Sequence, residues 1–142
     1  MEKKSKKQSP LTKKDIIEIN KGVIQEWIEQ NSKSFEGVGV DDNELEKILQ
    51  MVDEQESIIM KASYLVAGIA WAQPFAGGNK RTGIVSADTL LRMNGYRLVI
   101  DTDDDIEYLR KLLYEIQEER SVLNEDTLAK IILYVSKRIR KL

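Results

Sequence analysis

Apolar residues recur at three- and four-residue spacing along most of the chain. Ile16, Ile19, Val23 and Trp27, with Ile17, Ile24 and Ile28 beside them, predict a first helix over about residues 12–30, because that spacing stacks side chains on one face of a 3.6-residue turn. Thr12 followed by Asp15 supplies its start signal. Residues 31–40, with Gly37 and Gly39 between Val38 and Val40, read as a loop or short extended piece, after which Asp41 to Asn43 cap a helix carrying Leu45, Ile48, Leu49 and Val52. From Ser57 to Ala72, Ile58, Ile59, Ala62, Leu65, Val66, Ile69 and Ala70 leave almost no polar side. Such a helix is surrounded by others. Pro74 stops it, Gly77 and Gly78 turn the chain, and a fourth helix runs from about Asn79 to Met93 with Ile84, Ala87 and Leu91 inward and Gly95 as its terminator. Tyr96 to Ile100 is short and extended; Asp101 and Asp103 start a fifth helix through Ile106, Leu109, Leu113 and Ile116; the last carries Leu128, Ile131, Ile132, Val135 and Ile139. The prediction is an all-α bundle of about six helices, with at most a short β-hairpin or extended loop.

Composition narrows this picture. A chain of 142 residues, 42% hydrophobic and 32% charged, has the size and balance of one folded domain. Residues 1–10 are lysine-rich and end at Pro10, so they predict a flexible basic arm ahead of a helical domain over 11–142. The arm reads either as a solubilising tail or as a contact for nucleic acid or an acidic partner. Six lysines and one glutamate fall in residues 1–14 of a chain whose net charge is -2, so the remainder is acidic. Nucleic-acid binding by the folded part is therefore disfavoured. The longest apolar run, Tyr64 to Ala72, has nine residues against the ~20 of a membrane-spanning helix, and no hydrophobic secretion signal follows Met1. The expectation is a cytoplasmic protein without a membrane partner. No cysteine and no histidine occur, which removes thiol chemistry and histidine as base, nucleophile or ligand. A metal held by carboxylate oxygens alone remains chemically open.

One segment carries chemistry, Gln73-Pro74-Phe75-Ala76-Gly77-Gly78-Asn79-Lys80-Arg81-Thr82-Gly83. A glycine pair ahead of a helix lets the chain turn with positive φ and aims amide N–H groups, at the positive end of the macrodipole, toward an anion. Asn79 adds an amide donor, Lys80 a mobile charge and Arg81 a planar fork for bidentate phosphate contact. These suit a di- or triphosphate better than a lone carboxylate. The same residues also make ordinary turns between helices, and the spacing of a Walker loop is absent. Phe75 reads as a plug locking the loop onto the bundle.

At this segment the chain resembles the Fic/Doc family, in whose Fic branch the motif is H-x-F-x-[DE]-G-N-G-R and in whose Doc-like branch it is H-x-F-x-D-x-N-K-R-T. Pro74-Phe75, Gly78-Asn79-Lys80-Arg81-Thr82 and the later Asn94-Gly95-Tyr96 follow the Doc-like form. Leu11 to Val23 resembles the family's opening helix, and Glu36 to Leu49 resembles its G-G-[IV]-R-[DN]-x-x-x-L-x-x-A segment, so the likeness spans roughly 11–142. It implies an all-helical domain that binds ATP or another nucleotide with Mg²⁺ and transfers AMP or phosphate to hydroxyls of a target protein, in Doc-like members as the toxin paired with an antitoxin. It also implies that Gly78, Asn79, Lys80 and Arg81 contact phosphate, that Pro74 and Phe75 are structural, and that Gln73 and Gly77 stand where the family has its histidine base and its acidic Mg²⁺ ligand.

Those two departures change the implied chemistry. A glutamine side chain accepts no proton near neutrality, and loss of a positioned base costs about 10²–10⁴ in rate. Glycine offers no carboxylate, so Mg²⁺ would be held weakly or not at all. The expectation is retained phosphate or nucleotide binding with impaired transfer. The alternatives are a protein-interaction or toxin–antitoxin module whose site is vestigial, and an active transferase using another base. Ser32 to Gly37, reading S-K-S-F-E-G, fits the letters of the family's inhibitory segment, but it falls within the Doc-like loop match where no helix is predicted.

Overall fold

Side-chain caps fix where most helices begin. In the computed structural model, which describes residues 8–31, 39–100 and 102–142, Thr12 and Asp15 bond reciprocally to each other's backbone N–H at 3.1 and 3.0 Å and open α1 (Lys13–Asn31). Asp41, Ser57, Thr102 and Asn124 each accept a backbone N–H three residues on, and so start α2 (Asp42–Asp53), α3 (Ile58–Ala72), α5 (Asp103–Glu118) and α6 (Glu125–Lys137). Between α3 and α5 lie α4 (Asn79–Met93) and the strand β1 (Tyr96–Leu98). The cap of α5 is thus Thr102, not the expected acids, and Asp101 lies outside the described residues, as do residues 1–7 of the predicted arm and the segment Ser32 to Val38.

α3 is the axle. Ten of its fifteen residues are buried, and α2, α4, α5 and α6 all pack on it, which confirms the all-α bundle read from its unbroken apolar character. Small residues let neighbours approach closely. A Cβ added at Gly83 of α4 would stand 3.1 and 3.2 Å from the carbonyl oxygens of Leu65 and Val66, so α4 lies almost backbone to backbone on α3. The buried face of α4 is accordingly Thr82, Gly83, Ser86, Ala87, Leu90 and Leu91. Ile84, expected inward, is only half-buried because that contact turns it aside.

The chain's end differs from the helical expectation. The last helix stops at Lys137, and Ile139 belongs to β2 (Ile139–Lys141), which pairs antiparallel with β1 in the register Tyr96↔Lys141, Arg97↔Arg140 and Leu98↔Ile139. An open edge of β1 outcompetes one further helical turn, and residues some forty positions apart form the sheet where a local hairpin had been allowed for. Among the described residues no helix is long and apolar enough to cross a membrane.

Candidate functional site

The loop from α3 to α4 is held from three sides. At the C-terminus of α3, Gln73 adopts a left-handed conformation (φ 49, ψ 59) and is the one non-glycine residue with positive φ among those described. Helices often end this way, but usually on glycine. The extended piece before α2 then runs alongside the loop: Asp41 N–H donates to the Pro74 carbonyl at 2.6 Å and Ala76 N–H to the Gly39 carbonyl at 3.1 Å. Phe75 is 5% exposed and sits in the core cluster. Asn79 clasps it, accepting from Phe75 N–H at 3.0 Å and donating to the Phe75 carbonyl at 2.9 Å. The Asn79 amide, read from the sequence as a phosphate donor, is therefore engaged with the loop itself.

The third side is α1. Buried Asn20 donates to the Gly77 carbonyl at 2.9 Å and to the Thr82 hydroxyl at 3.0 Å, tying the turn to the first turn of α4. Gly78 has φ 70, where a side chain is strained, and a Cβ there would sit tightly against Val23 Cγ1 at 3.1 Å and Ile24 Cδ1 at 3.2 Å. Positive φ belongs to Gly78 alone of the expected pair. Asn20 is a site residue that the sequence reading does not single out. A polar residue in the buried stripe of α1, beside Ile16, Val23 and Ile24, was the signal available.

What results is a helix start without a cap. Gly78 supplies no side-chain hydrogen bond, and the first intrahelical bond runs from Thr82 N–H to the Gly78 carbonyl at 2.8 Å, so the amides of residues 79–81 precede the ladder. No acidic residue occupies this first turn. Lys80 and Arg81 stand there instead, at the positive end of the macrodipole.

The two cations diverge around a groove of about 700 Å³ between α4 and α5, to which Trp27 of α1 also contributes a wall. Lys80 Nζ donates to Gln117 Oε1 at 2.7 Å and lies 4.3 Å from the centre of the Tyr114 ring. Burial, and after it the charge of Arg110, hold its pKa below the ordinary lysine value. Arg81 turns toward α1 and pairs with Glu26 at 3.0 Å, both partners being largely exposed. Arg110 and Tyr114 face the groove from α5, over an apolar floor that includes Ile84, Ile106 and Leu113. Gln73 donates to the same Gln117 oxygen at 3.4 Å, so two carboxamides and an ammonium meet where α3, α4 and α5 converge. Arg110, Tyr114 and Gln117 were missed from the sequence. Their i, i+4, i+7 spacing puts them on one face of α5, yet only packing shows that this face looks at Lys80.

Among the described residues the lining of the groove contains no carboxylate. Among the described residues no group of three or more His, Cys, Asp or Glu is placed to hold a metal ion. Chemically the groove presents three cations, two aromatic rings and helix-start amides to an anion with a flat or apolar part.

A sequence model of the Fic/DOC family matches residues 10–91, more than half of the chain. The protein belongs to this family. The Fic/DOC match covers α1 to most of α4 and so includes the whole loop, whereas Asn94-Gly95-Tyr96 and the α5 wall lie beyond it, short of the 11–142 over which the likeness had been traced. No curated protein and no solved structure matches the chain.

Proposed function

We propose that this Fic/DOC domain binds a nucleotide in the groove between α4 and α5, with its phosphates at the start of α4, and that it transfers AMP or phosphate to protein hydroxyls poorly. The observation that carries the reading is the uncapped first turn of α4, with Lys80 and Arg81 beside its leading amides and Arg110 opposite. Each cation at a helix N-terminus costs roughly 0.3–1 kcal/mol, and an anion there reverses the sign. Gly78 and the amides after it face the phosphates. Arg81 reaches them by leaving Glu26, an exposed pair worth about 0–1 kcal/mol. Asn79 contributes by fixing the loop through Phe75, and Lys80 by its charge.

Transfer is the weaker half of this reading for a reason of proton inventory. A target hydroxyl that attacks phosphorus must lose its proton, and the groups converging beside the loop, Gln73 and Gln117, accept none near neutrality. Positioning and charge stabilisation still favour phosphoryl or nucleotidyl transfer, so the expected activity is slow.

Calorimetric titration with ATP and ADP tests the binding half: saturable heat that Arg81→Gln reduces supports it, and no binding at millimolar ligand overturns it. Incubation with labelled ATP and lysate tests the other half. Weak or absent labelling that rises with Gln73→His plus Gly77→Asp supports impairment, while strong labelling by the parent chain favours a transferase with another base. The rival reading, a protein-interaction or antitoxin-binding module with a vestigial groove, is favoured if a specific protein is recovered and Arg81→Gln leaves that association unchanged.

A further inference from the structure

Resting on the groove as a nucleotide site, we infer that it takes the polyphosphate chain as the free anion, without a divalent cation, and that the Arg110 guanidinium supplies the positive charge a cation would bring. The donor set of the groove does not fit Mg²⁺. That ion demands oxygen ligands in octahedral array and is usually held by one or two carboxylates together with substrate phosphates. Residue 77 is a glycine, the lining of the groove holds no carboxylate among the described residues, and Glu26, which pairs with Arg81 at 3.0 Å, is not part of that lining.

Charge that elsewhere would be divided between protein and metal is here carried by protein alone. Lys80, Arg81 and Arg110 face one groove. Arg110 is the least committed of them, because its contact with Glu107 is long, 3.9 Å, and both side chains are more than half exposed, a pair that contributes little. Its planar fork matches two phosphate oxygens, as a metal ion bridging them would. Lys80 and Arg110 also act on each other: the charge of Arg110 lowers the proton affinity of Lys80, and an anion seated between them relieves that repulsion. A nucleotide already complexed with Mg²⁺ brings less negative charge and places a dication among three cations with no carboxylate to receive it among the described lining residues. Mg²⁺ should therefore weaken binding. The wall that makes this possible belongs to α5, outside the residues matched to the family.

The test is calorimetric titration of the full chain with ATP at fixed ionic strength, first in chelator-treated solution and then with excess Mg²⁺. Metal-free binding several-fold tighter than binding with Mg²⁺ is expected. Arg110→Gln should weaken the metal-free affinity at least about tenfold, Arg110→Lys should recover part of it, and Lys111→Gln, with the same change of charge on the same helix, should leave it nearly unchanged. Thermal melts followed by circular dichroism should show all three variants folded, since both side chains are exposed. Binding that is tighter with Mg²⁺ than without it overturns the inference while the nucleotide reading stands. So does an Arg110→Gln variant that binds like the parent, or a Lys111→Gln variant that loses as much. Absence of ATP binding in both solutions overturns the inference and the nucleotide reading together.

Discussion

α4 and α5 lie side by side across the groove and begin in opposite ways. α5 has Thr102 accepting from Asp105 N–H at 3.1 Å and three aspartates in its first turn, so hydrogen bonding and the macrodipole both stabilise its start. α4 has a glycine without a capping side chain, and two cations where acids are preferred. The difference teaches that a helix start stabilised by its own sequence has no use for a ligand, whereas one stabilised by its neighbours is left with amides and charge to offer. α4 is placed by contacts behind it: Gly83 against the α3 backbone, Asn20 on Gly77 and Thr82, and Asn79 on Phe75.

The contrast breaks most severely at Gly83. Replacing it by valine sets side-chain carbons against the Leu65 and Val66 carbonyls, which cannot give way as side chains do, and should cost about 3 kcal/mol or leave the protein unfolded, read by urea denaturation. Arg81→Gln sharpens the contrast by separating binding from folding. It should weaken ATP binding by about 1.5–3 kcal/mol in calorimetry while shifting the denaturation midpoint almost not at all, because a favourable loss of charge at the helix start offsets an exposed ion pair. A stability loss equal to the binding loss would mean that the arginine holds the fold.

Asn20→Ala removes the support behind the α4 start and leaves the Gly77 carbonyl and Thr82 hydroxyl without their donor, at a cost of about 1–3 kcal/mol. The matching change on the other helix, Thr102→Ala, should cost about 1 kcal/mol and leave ATP affinity untouched. Equal effects of both changes on affinity would dissolve the distinction between the two starts.

The smallest expected effect is a dependence on alkaline pH. The pKa of Lys80 is depressed in the folded chain by burial and by Arg110, so its charged form costs stability below that pKa and the cost disappears as the proton is lost. Stability relative to Lys80→Met should rise between the depressed pKa and the ordinary lysine pKa. Anion affinity should fall across the same window, because the charge that attracts phosphate is leaving. Denaturation and titration at a series of alkaline pH values check both signs.

How much of this was legible beforehand varies by residue. Thr12, Asp15 and Asp41 announced their helices because a cap acts within four residues. Ile139 was misread because its partner, Leu98, sits far away in sequence and a strand edge leaves no local mark. Trp27 shares the apolar spacing of the first helix with Ile16 and Val23, yet it is 41% exposed and forms a wall of the groove, since periodicity reports the angle around a helix and not where the neighbouring helix ends.

The order of helices, the buried axle and the concentration of glycine and cation between α3 and α4 belong to the sequence by itself, because spacing, capping and the conformational freedom of glycine operate over a few residues. That Asn79 serves the loop, that Asn20 holds it from behind, and that Arg110, Tyr114 and Gln117 face Lys80 were decided by tertiary structure alone. The physical reason is that these depend on the distance and rotation between helices, which are set by how closely Gly83 lets α4 approach α3 and by where α5 then finds room to pack.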